Sequence, residues 1–213
     1  MHIPDGYIDV PLAGLLWVLS VSVLGIAARR IGGRIPDSRA PLLGVVAAGI
    51  FAAQMLDWPI PGGTSAHFVG GAFAAILLGP HLGALCVGTV VAIQALVFGD
   101  GGLVVLGANL FNMAIVEVYV AYAVYRLVAP YGEFRAAFLA GWLGITAGAV
   151  TAGLQLGLSS AFEYQLLTTV GIMGVGHLVL GLFEGAITAV VYRYLTSARP
   201  DLRPASAPEV SAR

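Results

Sequence analysis

Three nitrogens at the head of the chain could close around one metal ion: the α-amine of Met1, the backbone amide of His2 and the His2 imidazole. Their spacing forms fused five- and six-membered chelate rings, held nearly coplanar by the peptide unit between them. One corner of a square plane is left open, and nitrogen-rich square-planar coordination points to Ni(II) or Cu(II) over zinc or magnesium. His67, in Pro61-Gly62-Gly63-Thr64-Ser65-Ala66-His67, is the natural fourth donor. The glycines there permit a tight backbone, and the hydroxyls of Thr64 and Ser65 can hydrogen-bond around the imidazole. The competing reading makes His2 an incidental terminal residue and His67 an interfacial helix end. His81 follows Pro80 and His177 lies deep in an apolar run, so neither is expected at such a site.

Other polar residues offer further chemistry. Asp100, in the turn Phe98-Gly99-Asp100-Gly101-Gly102, could support a cation electrostatically or cap the following helix, and in isolation capping is favoured. Asn109 could hold a ligand-bearing loop or bond to another helix, whereas Asn112 favours the interhelical role. Glu117, His177 and Glu184 could form a proton or ion relay, or pair helices. The pairing reading is preferred because no span repeats carboxylates along a path. Ser65 and His67 are too sparsely supported for a hydrolase, since no activating third group is evident. With no lysine in the chain, GxxxxGK[ST] is impossible, so ATP energy would have to come from a partner.

These residues must be positioned by apolar helices. Hydrophobic residues make up 59% of the 213 positions and charged residues 10%, the composition of a polytopic helical membrane protein. Apolar stretches predict spans at 11–28, 41–56, 67–79, 82–98, 103–127, 136–158 and 166–195; the third, ended by Gly79-Pro80, is short enough to be re-entrant if taken alone. Arg29, Arg30, Arg34 and Arg39 follow span one, Arg126 and Arg135 flank the connection after span five, and Arg193, Arg199, Arg203 and Arg213 end the chain. Seven crossings put all ten on one side, cytoplasmic by the positive-inside rule.

The amino terminus, 57–66, 99–102 and 159–165 then lie outside, with Asp5, Asp9, Asp57, Asp100 and Glu163 as their charges. That acidic face suits a cation, though the aspartates could simply keep loops soluble. The expected class is therefore an all-α polytopic membrane protein of about seven transmembrane helices, amino terminus outside and carboxy terminus cytoplasmic. One domain covers 1–196 and a polar, disordered tail 197–213. No basic region precedes the first apolar run, so a cleaved signal peptide is not expected and Met1 is retained. Cys86 alone excludes an intramolecular disulfide. A net charge of −1 suggests no nucleic-acid partner. Gly44, Ala48 and Ala52 form a small-residue ladder in span two, repeated by Gly144, Gly148 and Ala152 in span six; either could pack internally or dock a membrane partner.

Met1-His2-Ile3-Pro4-Asp5-Gly6-Tyr7, the segment PGGTSAHFVGG at 61–71, and FGDGG followed by GANLFNM at 98–113 together resemble the cobalt/nickel substrate-capture subunits of energy-coupling-factor transporters. The resemblance runs to about residue 195. It implies a seven-helix subunit of the cell membrane whose amino terminus is tucked into an outward pocket, with metal held by the Met1 amine, the His2 amide and imidazole, and His67. It also implies a membrane-embedded coupling subunit, two cytoplasmic ATPase subunits and often a small accessory membrane protein. GTSAH and FNM are similar to the nickel-type members, so Ni(II) is favoured over Co(II) as the transported ion, with no cofactor of the subunit's own.

Overall fold

The computed structural model describes residues 1–32, 35 and 40–204; Arg34, Arg39, Arg213 and the tail from 205 lie outside the described residues. Seven helices are formed among the described residues. They are α1 (Val10–Arg30), α2 (Ala40–Gln54), α3 (Gly71–Leu78), α4 (Pro80–Phe98), α5 (Leu106–Tyr131), α6 (Glu133–Leu158) and α7 (Leu166–Ala198). Five of them, α1 and α4 to α7, are long and apolar enough to cross a membrane. The chain is thus a polytopic helical membrane protein. Large apolar side chains such as Leu167, Val175, Phe183 and Val190 of α7 face outward, as lipid-facing residues do. Helix α7 continues to Ala198, and a 3-10 turn follows at Pro200–Leu202.

The third predicted span needs correction. Helix α3 is eight residues long, roughly 12 Å, and cannot cross by itself. It starts at Gly71, not at His67. Upstream, Trp58–Pro59 and Ser65–Ala66 pair as a two-stranded antiparallel ribbon, β1 and β2, and Gly70 adopts φ +75°, a left-handed turn that a side chain would resist. Residues 67–70 therefore read as helix but form non-helical backbone, with His67 and Val69 buried.

Helices α6 and α7 approach closely because glycines face one another. A Cβ on Gly141 would lie 2.8 Å from the Gly185 Cα, and one on Gly148 would lie 2.9 Å from the Asn112 carbonyl oxygen. The α6 ladder is thus internal packing. On α2 the same spacing has the opposite exposure: Val46, Ile50 and Gln54 are buried, whereas Gly44, Ala48 and Ala52 are exposed and Gly44 has no neighbour within 4 Å.

Loops from distant parts of the chain gather at one end. Asp9 caps α1, its Oδ1 accepting from Leu12 N at 3.1 Å with Pro11 in the first turn. The Asp9 amide also donates to Ser159 Oγ at 2.9 Å, tying the start of α1 to the loop between α6 and α7. At the other end, Arg126, Arg199 and Arg203 line one cavity of about 810 Å³ with Pro41 and Gly79.

Candidate metal site

The first three residues are buried in the protein, and hydrogen bonds fasten Met1, Ile3 and Asp5. Met1 and Ile3 are fully buried, and His2 nearly so. The Met1 amine donates to Ser65 Oγ at 3.0 Å. Ile3 is gripped by the Asn109 carboxamide at both ends, its N–H donating to Oδ1 at 2.8 Å and its carbonyl accepting from Nδ2 at 3.1 Å. Gly102 N donates to the same carbonyl at 2.9 Å. Asp5 accepts from Leu103, Val104 and Val105 N, which are the free donors ahead of α5.

Asp5, and not Asp100, satisfies the backbone donors of the turn ahead of α5. Asp100 lies instead beside the metal-ligand candidate, its Oδ1 3.5 Å from His2 Nδ1. The glycines of this turn exist for close approach. Gly101 has φ +84°, and a Cβ there would meet Asn109 Nδ2 at 2.8 Å and the His2 ring at 3.3 Å; a Cβ on Gly102 would run into Asp5.

The structure brings His2 and His67 together. Their rings are near parallel at 20° with centroids 4.6 Å apart. His67 Nδ1 lies 2.9 Å from the Phe68 carbonyl, an acceptor only, so Nδ1 carries the proton and Nε2 keeps its lone pair. That Nε2 and both ring nitrogens of His2 are buried without a partner. Thr64 Oγ is also unpartnered, and a cavity of about 180 Å³ lined by His2, Asp57, Thr64, Ser65 and Asp100 opens beside them. Burial pushes the Met1 amine down to about 5, and burial with the neighbouring amine pushes His2 down to about 3, so both favour their metal-binding, unprotonated forms. Burial, then Asp57, raises Asp100.

The segment that follows His67 is held by three helices. Glu184 of α7 accepts from Val69 N and Gly70 N, each at 2.9 Å, and Glu117 of α5 accepts from Gly71 N at 2.9 Å. Gln54 of α2 donates to the Val69 carbonyl at 2.8 Å. Non-helical backbone among apolar helices must find such partners. Glu117 and Glu184 therefore bind the head of α3, a role that the expectation of direct helix pairing did not foresee. His177 is hydrogen-bonded to neither; its Nδ1 donates to the Met173 carbonyl at 2.9 Å. His81 pairs with the Tyr119 hydroxyl at 2.8 Å. Asn112 exchanges two 2.8 Å bonds with Gln155 of α6, the expected interhelical role. Gln54, Gln94 and Gln155 were the residues missed. An amide inside an apolar span is itself the signal, because hydrocarbon offers it no partner.

Residues 2–202 match the family model described as the cobalt uptake substrate-specific transmembrane region. The chain belongs to that family. It is 59% identical over 95% of its length to a protein of Haloquadratum walsbyi named as a metal transport protein, covering 93% of that relative. It is 56% identical, again over 95% of its length, to a protein of Archaeoglobus fulgidus named as a fused nickel transport protein, covering 68% of it. A crystal structure of a truncated transition metal transporter superposes with TM-score 0.89 at 34% identity, covering 93% of this chain and 99% of that one.

Proposed function

We propose that this chain is the substrate-capture subunit of an ATP-driven importer of the energy-coupling-factor type. It takes up Ni(II), and Co(II) in second place, at the outer face of the cell membrane. The reading rests above all on one observation: His2 and His67 lie side by side, buried with bare ring nitrogens, and the buried Met1 amine is held by Ser65, two residues from His67, next to a cavity lined by Asp57 and Asp100. With metal–nitrogen bonds of about 2.0–2.1 Å, imidazoles on adjacent corners of a square plane have ring centres roughly 4–5 Å apart. The 4.6 Å between the His2 and His67 centroids matches that spacing, and turning one ring out of their near-parallel stack would aim both lone pairs at one ion. Four nitrogens in a plane favour nickel, which stands above cobalt in the affinity order.

In this reading the chain crosses seven times with its amino terminus outside, the non-helical 67–70 segment and α3 together making the third crossing. Ser65 and Asn109 hold the amino-terminal ligands in place, Asp5 fastens the turn ahead of α5 beside them, Thr64 lines the adjoining cavity, and Asp100 adds negative charge. The exposed Gly44, Ala48 and Ala52 face of α2 receives the membrane-embedded coupling subunit, which links the chain to two cytoplasmic ATPase subunits and, in some assemblies, a small accessory membrane protein.

Calorimetry with Ni(II) on protein carrying its native start tests the site. An extra residue ahead of Met1, H2A and H67A should each lower affinity at least about 100-fold, as expected when one ligand of a chelate is lost, while H81A should bind as the parent does. Unchanged affinity in the extended form would falsify the chelate. Metal movement in vesicles without any ATPase would instead favour a solitary secondary transporter.

A further inference from the structure

Two carboxylates stand beside a chelate that uses nitrogen alone. Asp57, in the loop after α2, and Asp100, in the turn between α4 and α5, line the same cavity of about 180 Å³ as His2, Thr64 and Ser65. No arginine lines that cavity. The ion pairs formed among the described residues leave Asp57 without a partner, and Asp100 meets only the His2 ring, its Oδ1 3.5 Å from Nδ1. The cavity also ends on bare donors. His2 is 4% exposed with both ring nitrogens unpartnered, and the buried Thr64 Oγ beside it is unpartnered too. A cleft that joins uncompensated negative charge to unfilled donors concentrates cations where they can be bound.

A square of four nitrogens has no corner for a carboxylate. Carboxylates and the Thr64 hydroxyl can instead accept hydrogen bonds from the waters of an ion that is still hydrated, and the cavity is large enough for several waters. Ni(II) gives up its bound waters slowly. Chelation is then only as fast as the hydrated ion can be kept beside the donors while a water leaves.

We propose that Asp57 and Asp100 form an entry station, which holds a hydrated divalent cation through its water shell before the amino-terminal nitrogens and His67 displace the waters. The station rests on the Met1–His2–His67 site proposed above. It sets the rate of association and leaves the rate of dissociation to the nitrogens, as charges at the edge of a binding site do.

The test mixes Ni(II) rapidly with the full chain carrying its native start and follows the visible d–d band of planar Ni(II). An excess of strong chelator added to loaded protein gives the dissociation rate. D57N keeps the shape and removes the charge, D57E keeps the charge, and a D57N/D100N double variant removes both. At low salt D57N should associate about 3–10-fold more slowly and the double variant about 10–100-fold more slowly, each dissociating as the parent does, while D57E stays within about twofold. The differences should shrink at about 1 M salt, where screening acts over about 3 Å. Parent-like association in D57N and in the double variant overturns the station, and so does a slowing that salt leaves unchanged. Faster dissociation also overturns it, because the carboxylates would then be ligands or supports of the fold. A parent that binds no nickel sinks the site and the station together, whereas a binding parent whose variants associate alike removes the station alone.

Discussion

The Met1 amine and the His2 ring give the amino terminus a pH dependence of definite sign. Docked, the amine sits at about 5 where a free one sits near 8.0, and His2 at about 3 where a free imidazole sits near 6.5. The undocked segment therefore binds more protons, and lowering the pH favours release. Docking is complete above about pH 8, weakens as the amine titrates between 8 and 5, and weakens further as His2 begins to charge. Hydrogen exchange at Ile3 N–H, which docking seals against Asn109, should lose protection over that window once intrinsic rates are corrected. Protection that stays flat from pH 8 to 5 would contradict the burial of the amine. His2 and His67 were legible as a pair because donor type and loop position sufficed to single them out. The bonds of Asp5 were not, because its part depends on which backbone donors the fold delivers to it.

At the scale of elements, the segment from His67 to Gly71 joins site to scaffold. Six of the seven predicted spans coincide with helices, α2 included, since a long hydrophobic run has little else to do. The head of α3 could not be read. Its residues are as apolar as those of a helix, and only the distant carboxylates of α5 and α7, with Gln54 of α2, make non-helical backbone tolerable there. The two carboxylates differ in a testable way. Glu184 uses both oxygens, whereas Glu117 uses Oε1 and leaves Oε2 free. An amide at 117 can keep its one accepted bond, but an amide at 184 must aim an NH2 at a backbone N–H. E184Q should destabilise detergent-purified protein by about 1.5–3 kcal/mol, the worth of a charge-assisted bond lost in a buried site. E117Q should cost less, and thermal unfolding that ranks the two the other way would refute the clamp as drawn.

For the whole molecule, membrane class followed from composition, and the internal use of the α6 ladder but not the α2 ladder could be seen only once the helices were assembled. Identical small-residue spacing carries no direction of its own. The structure sorts them by exposure, leaving Gly44, Ala48 and Ala52 outward. A48L should therefore impair assembly with a coupling subunit, read by co-purification, while sparing nickel affinity; intact assembly would move the docking face elsewhere. Orientation is tested on the same molecule with Cys86 replaced by alanine. Ser160 and Ser197 are both exposed, near opposite ends of α7. In intact cells an impermeant thiol reagent should label S160C and not S197C, and the reverse pattern would invert the proposed topology.

The fastening of the first residues also dictates when the site can exist during synthesis. Met1 needs Ser65, Ile3 needs Asn109, and Asp9 needs Ser159, partners that are 64, 106 and 150 positions later in the chain. At about 5–20 residues per second, the end first to leave the ribosome waits roughly 5–20 s for Asn109 to be made. The oldest part of the polypeptide is thus among the last to settle. A truncated chain that stops before α5 would carry both histidines and still lack the grip that makes a pocket of them.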